Sequence, residues 1–80
     1  MQSQHIYQTI ESTFRQEAGS MQDALFASIP DFDLVEDVLQ DAFLAAIEYW
    51  PVEGIPLHPT RWLYRTARRK AIDRLLGEMI

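Results

Sequence analysis

The prolines of this 80-residue chain divide it into three segments. All four prolines lie at Pro30 or within the stretch PVEGIPLHP, which spans residues 51–59. A proline cannot donate a backbone hydrogen bond, and it pushes the preceding residue away from the α region. Helices are therefore expected to end at Pro30 and Pro51, and Pro59 suits the first turn of a further helix.

Within each segment, apolar residues recur at helical spacing, and no strand pattern or internal repeat is present. The expected core positions are Ile6, Ile10, Phe14, Met21, Leu25 and Ile29 in the first segment, Val38, Leu39, Ala42, Phe43, Ala46, Tyr49 and Trp50 in the second, and Leu63, Ala67, Ala71 and Leu75 in the third. This pattern predicts a single all-α domain over residues 1–80, a compact three-helix fold with a proline-rich loop between the second and third helices. The helices are predicted at about 4–29, 33–50 and 59–76.

Two local features bear on the helix boundaries. Asp33 and Glu36 have the spacing of a capping box, which would begin the second helix. Gly19 lies inside the first helix, where glycine costs about 1 kcal/mol relative to alanine, so the helix can break or bend there.

The composition argues against several classes of function. The absence of cysteine excludes disulfides and thiolate metal sites. His5 and His58 have no carboxylate or serine partner at a useful spacing, so no enzyme, cofactor or metal site is expected. The first residues, MQSQHIYQTIES, do not resemble a signal peptide, and no apolar run reaches the ~18 residues of a membrane span. We expect a soluble, cytoplasmic protein.

Charge is divided very unevenly along the chain. The formal net charge is −5, yet residues 1–58 carry ten acidic residues and one basic residue, whereas residues 59–80 carry six basic and two acidic residues. All six of those basic residues lie in RWLYRTARRKAIDR, residues 61–74. This asymmetry points to two oppositely charged surfaces.

The third helix carries the positive surface. On an ideal helix, four arginines project within about 100° of arc, and we call them the basic face: Arg61, Arg65, Arg68 and Arg69. Trp62 borders this face. Arginine binds phosphate in a bidentate manner and an adjacent aromatic ring can stack on an unpaired base, a combination that suits single-stranded nucleic acid. Alternatively, Trp62 and Tyr64 are edges of the core, and the arginines form a solvated face that pairs with the acidic part of the chain.

The second helix carries an outer stripe that we call the acidic stripe: Asp37, Gln40, Asp41, Leu44 and Glu48. Their spacing places them on one side of the helix, with Ile47 on the flank. Carboxylates around an apolar contact suit docking on a basic, partly apolar protein surface. The alternative is an ordinary solvated surface, on which single exposed leucines are common.

The sequence also resembles a known family. FDLVEDVLQDAFLAAIEYWP followed by PTRWLYRTARRKAIDRL is similar to region 2 of bacterial RNA polymerase sigma factors of the extracytoplasmic-function (ECF) type. TFRQEAGSMQDALFASIPDFD resembles the helix that opens region 2. The resemblance covers residues 11–76, and it implies a transcription initiation factor domain.

The resemblance implies a partner for each surface. In the family, the second helix docks on the clamp helices of the polymerase largest subunit. The third helix captures the −10 promoter element as it melts, and the loop, residues 51–58 here, shapes a pocket for a flipped base on the single-stranded non-template strand. The matching polymerase-binding positions are Asp37, Gln40, Asp41, Phe43 and Ile47, to which the acidic stripe adds Leu44 and Glu48. The matching DNA-binding positions are Arg61, Trp62, Arg65, Arg68, Arg69 and Lys70, to which the basic segment adds Arg74.

The chain departs from the family pattern in three ways. Arg69 replaces a common asparagine, the usual DRLRR becomes DRLLG at residues 73–77, and no counterpart of the family's region 4 follows. These departures keep an alternative open: a helical protein-interaction module without DNA binding, such as a sigma-like decoy or an anti-sigma partner. An anti-sigma protein is also a conceivable partner of a functional sigma domain.

Overall fold

A computed structural model describes the backbone of residues 2–79 and the side chains of residues 4–77. The described residues form three α-helices and no strand. The fold is therefore all-α, as predicted. The helices are α1 (Gln2–Ser28), α2 (Phe32–Glu53) and α3 (Pro59–Met79).

The core lies where the three helices meet, and it is built from the apolar faces that helical periodicity predicts. Every predicted core position is buried except Phe14, Tyr49 and Leu75, which are 48%, 51% and 40% exposed. The fully buried alanines Ala67 and Ala71 allow α3 to approach the other helices closely.

Helix α2 begins two residues before the predicted capping box. Asp31, not Asp33, is the N-cap: its backbone is extended, and its side chain accepts a hydrogen bond from the backbone N–H of Leu34 at 3.2 Å. Its carbonyl accepts from the N–H of Val35 at 3.0 Å. Asp33 lies inside the first turn, where a carboxylate still favours the positive end of the helix.

Helix α2 also continues past Pro51, where the sequence predicted its end, and runs to Glu53. Proline removes one hydrogen bond to the preceding turn, but its own φ angle is compatible with a helix, so a final turn can follow. Gly54 ends the helix instead. Its φ of 94° is a conformation that favours glycine, and its N–H donates to the carbonyl of Trp50 at 2.8 Å.

Helices α2 and α3 pack antiparallel along a seam that has two distinct ends. At one end the rings of Trp50 and Trp62 lie 5.4 Å apart, and at the other Arg74 contacts Asp41. Helix α1 is continuous through Gly19, without the break that the glycine allowed. In the part of the chain that the structure describes, no helix has the length and apolarity needed to cross a membrane.

Candidate functional site

The basic face lies on the side of α3 that points away from the core. Leu63, Ala67 and Ala71 have no exposed surface and turn one side of α3 inward. Because the four arginines project on the opposite side of the helix, all of them are exposed, as the helical spacing predicted. Lys70 lies between the two sides and is half-buried.

The arginines of the basic face do not pair with the acidic part of the chain. Among the described residues, salt bridges involve only two cations: Arg15, which contacts Glu11 at 2.5 Å, and Arg74, which contacts Asp41 and Asp37. Exposed arginines without a carboxylate partner keep all their donors available to an external anion. This observation disfavours an internally paired surface.

Trp62 is held at the edge of the basic face by the core. Its ring meets the buried ring of Trp50 edge-on, with an interplanar angle of 69°. The side chain is half-buried, so part of the ring remains accessible. Edge-to-face contacts of this kind stabilise aromatic pairs and fix ring orientation. Trp62 therefore presents an aromatic ring of fixed orientation, part of which is accessible to a ligand.

An open groove of about 790 Å³ runs beside Trp62, between α2 and α3. Its lining includes Tyr49 from α2 and Arg65 and Arg69 from α3. Aromatic rings beside guanidinium groups can stack on a base and hold its phosphate. Tyr49 was missed as a site residue because its angle on the wheel placed it with the core. Tyr49 lies near the edge of the apolar face of α2 and precedes Trp50 in the sequence, and this position could have indicated that it is exposed.

The connector between α2 and α3 is shorter than predicted. Residues 51–53 are helical, so the loop comprises residues 54–58. A separate shallow depression of about 520 Å³ is lined by residues 57–61 and includes His58 and Arg61 but not Trp62. Leu57 is 88% exposed, and Val52 at the end of α2 is 85% exposed. The loop thus offers apolar surface near the basic face, while the expected base pocket remains a prediction.

The acidic stripe is exposed along the middle of α2, with an apolar centre. Leu44 is 59% exposed and Ile47 is 42% exposed, and neither belongs to the core cluster. Asp37, Gln40 and Glu48 are exposed, and Asp41 is half-buried at the seam with α3.

Two predicted site residues, Phe43 and Arg74, lie outside the acidic stripe and the basic face, and for Phe43 the helical spacing had predicted a core position. Phe43 is only 6% exposed, and its ring packs edge-on against Phe14 with ring centres 4.9 Å apart. It is thus a core residue that supports the stripe from below. Arg74 lies toward α2, where Nη2 is 2.5 Å from Asp41 Oδ2 and Nη1 is 3.6 Å from Asp37 Oδ2. Arg74 therefore contacts the predicted polymerase-binding carboxylates and lies apart from the basic face.

No candidate metal site is found in the part of the chain that the structure describes. There, no three histidine, aspartate or glutamate side chains cluster in a way that could hold a metal ion. The candidate site consists of two surfaces, the acidic stripe on α2 and the basic face with its aromatic groove on α3.

Comparisons with known proteins identify the family. A model of sigma-70 region 2 matches residues 24–78, which is more than half of the chain. An uncharacterized protein of Rhizobium meliloti (strain 1021) is 35% identical over 52 residues, covering 65% of this chain but only 12% of that relative's length. No solved structure matches the chain significantly. The chain therefore belongs to the sigma-70 region 2 family, a family of transcription initiation factor domains.

Proposed function

We propose that this domain acts as an ECF-type sigma region 2 in the cytoplasm. In this role the acidic stripe docks on the clamp helices of the polymerase largest subunit, and α3 captures the melted −10 element. The observation that carries the proposal is that the basic face of an acidic chain has no internal carboxylate partner among the described residues. A surface of this kind suits an external polyanion.

On the DNA side, the groove supports binding of unpaired nucleotides. Flipping a base out of a duplex costs a few kcal/mol, which protein contacts must offset. Stacking on an aromatic side chain contributes about 1–3 kcal/mol per base. Trp62 and Tyr49 line the groove from two helices, and Arg65 and Arg69 supply phosphate donors beside them. These residues can stabilise an opened strand without reading an intact groove of the duplex.

On the polymerase side, the acidic stripe supports docking on a basic helical surface. Leu44 and Ile47 provide the apolar contact, and carboxylates on both sides steer a cationic partner into register. The burial of Phe43 contributes indirectly by fixing the backbone that carries these side chains. The resemblance of this helix to its counterpart in ECF sigma factors supports the same assignment.

The DNA role is tested by the salt dependence of single-strand binding. A fluorescent oligonucleotide with a −10-like sequence is titrated with the chain at several salt concentrations. Four phosphate contacts on a single strand predict a slope of log K against log salt of about −3, at about 0.7 per contact. The reversed variant Arg65→Asp/Arg69→Asp should lose most of the affinity.

The same titration distinguishes the alternative of a protein-interaction module without DNA binding. One observation favours that alternative: Arg74 is already engaged by Asp41 and Asp37, which removes a cation from the DNA-binding set. Negligible binding, or a slope near zero, would support it and rule out the DNA role.

The polymerase role is tested by capture of the chain on an immobilised clamp-helix fragment. Asp37→Arg/Asp41→Arg should abolish retention because it reverses the steering charge. Glu11→Arg/Asp23→Arg makes the same change in net charge on exposed positions of α1 and serves as the matched control. Equal retention of both variants would refute docking through the stripe. A folded wild type that is not retained at all would do the same.

A further inference from the structure

The outer surfaces of α2 and α3 carry complementary side chains at identical helical spacing. Counting from the first residue of each set, the offsets are 0, 3, 4, 7, 10 and 11. The α2 set is Asp37, Gln40, Asp41, Leu44, Ile47 and Glu48. The α3 set is Arg65, Arg68, Arg69, Ile72, Leu75 and Leu76. Each set begins with charged or amide side chains and continues into apolar ones, and the α2 set then ends on the charged Glu48.

Both sets have unpartnered apolar surface. On α2, Leu44 and Ile47 are 59% and 42% exposed, and on α3, Ile72, Leu75 and Leu76 are 41%, 40% and 54% exposed. Exposed apolar residues that cluster on one helix face favour burial against a partner. The charges beside them are opposite in sign on the two helices.

We propose that the α2 set of one molecule docks on the α3 set of a second copy, with the two helices parallel and in register. Asp37 then lies opposite Arg65, and Asp41 and Arg69 flank this pair on opposite sides of the contact. The apolar halves meet as Leu44 against Ile72 and as Ile47 against Leu75. Helices that cross at a small angle keep side chains in contact over several turns, so the whole set can engage.

The parallel orientation matches the two sets better than the antiparallel one. If the helices were antiparallel with Leu44 opposite Ile72, Glu48 would face Arg68, but Ile47 would face Arg69 and Asp41 would face Leu75. Of the two orientations, only the parallel one places Ile47 against Leu75 and Asp37 against Arg65.

The two sets cannot meet within one molecule. Its α2 and α3 are antiparallel and joined through their buried faces, because Trp50 meets Trp62 at one end and Asp41 meets Arg74 at the other. Docking between copies therefore needs an α2 and an α3 from different molecules.

The interface is heterologous, because it joins the α2 set of one molecule to the α3 set of another. The first molecule keeps a free α3 set and the second a free α2 set, so further copies can bind at both ends. A contact of about three helical turns is smaller than the ~1,200 Å² of stable interfaces, so the association is weak and occurs at high protein concentration. It covers the acidic stripe on one molecule and most of the basic face on the other. Self-association therefore competes with any partner of those surfaces, although the inference does not depend on who the partner is.

The test is charge reversal with rescue by mixing, followed by sedimentation velocity over a wide concentration range. The wild type should show concentration-dependent assembly that weakens as salt screens the exposed charges. Asp37→Arg/Asp41→Arg has two positive sets, and Arg65→Asp/Arg69→Asp has two negative sets. Each variant alone should self-associate at least about tenfold more weakly.

Mixing the two reversed variants should restore assembly, because every α2 set then finds an α3 set of opposite charge. The control Glu11→Arg/Asp23→Arg should assemble as the wild type does. Circular dichroism establishes that each variant is helical. The double variant Leu44→Gln/Leu75→Gln should also lose self-association, without any change in charge. A wild type that stays monomeric at every concentration would overturn the proposal. Assembly that persists in both reversed variants, or that fails to return when folded variants are mixed, would also overturn it.

Discussion

The two ends of the seam between α2 and α3 are held together by different chemistry. At the aromatic end, Trp50 is 1% exposed and its ring contacts Trp62. At the charged end, the side chains of Arg74, Asp41 and Asp37 are 42%, 34% and 64% exposed. Burial of a large ring contributes several kcal/mol, whereas exposed ion pairs contribute about 0–1 kcal/mol. The aromatic end therefore stabilises the fold and the groove, while the charged end can change partners at little cost.

The largest effect is expected at Trp50. Trp50→Ala should lower the free energy of unfolding by about 3–5 kcal/mol, because it leaves a cavity and removes the support of Trp62. That loss is comparable with the whole stability of a domain of this size. Urea unfolding followed by circular dichroism measures it.

Two matched variants sharpen the result at Trp50. Trp50→Phe should cost much less, since it keeps an aromatic ring and removes an indole N–H that is buried without a hydrogen-bond partner in the described structure. Tyr49→Ala, at a half-exposed neighbour, should change stability little. Equal losses for Tyr49→Ala and Trp50→Ala would contradict the idea that the aromatic end owes its strength to burial.

Phe43 and Leu44 are neighbours on α2 with different expected roles. Phe43 holds the helix in place from the core, whereas Leu44 is available for contact with a partner. Phe43→Ala should destabilise the fold by about 3 kcal/mol or more, because Phe43 is buried against Phe14. Leu44→Ala should change stability by no more than about 0.5 kcal/mol. Thermal unfolding of the two variants tests this difference. If Leu44→Ala proved the more destabilising, the assignment of Phe43 to the core and Leu44 to the surface would be wrong.

The groove at the aromatic end should show an intermediate effect in DNA binding. Trp62→Ala is expected to weaken binding of a single-stranded −10-like oligonucleotide by about one to two orders of magnitude, corresponding to the loss of one stacked base. Fluorescence anisotropy on the folded variant measures this. Tyr7→Ala, which removes a half-exposed ring from α1, is the control. Unchanged affinity in Trp62→Ala would remove the groove from the proposed DNA site.

Much of the fold could be predicted from the sequence, because periodicity and proline act locally. The three helices and most of the core follow from the apolar spacing and from Pro30 and Pro59. The ends of α2 could not be predicted in the same way. Gly54 determines where the last turn closes, and Asp31 competes with Asp33 for the cap, and both depend on how the chain enters and leaves the helix.

The sequence predicted the direction in which each candidate site residue points from its helix, but not which residues of the other helices surround it. A helical wheel gives the direction of a side chain relative to its own axis, and this was sufficient to place the basic face opposite the core. It does not show how far an adjacent helix extends, so Tyr49 could not be separated from the core. For Phe43 the wheel correctly indicated the core, and only the family resemblance grouped it with the polymerase-binding positions. The ion pairs of Arg74 join residues more than thirty positions apart in the chain, and only the antiparallel seam brings them together.

The smallest expected effects distinguish two arginines of the same helix, Arg65 on the basic face and Arg74 at the charged end of the seam. Arg65→Gln should make the salt slope of single-strand binding shallower by about 0.7 and leave stability unchanged, because its guanidinium has no partner within the described molecule. Arg74→Gln should leave the slope unchanged and lower the free energy of unfolding by at most about 1 kcal/mol, since its ion pairs are partly exposed. Both variants remove one charge from α3, so net charge cannot explain a difference between them. If Arg74→Gln also made the slope shallower by a full contact, Arg74 would leave the carboxylates of Asp37 and Asp41 when DNA binds, and the charged end of the seam would belong to the DNA surface.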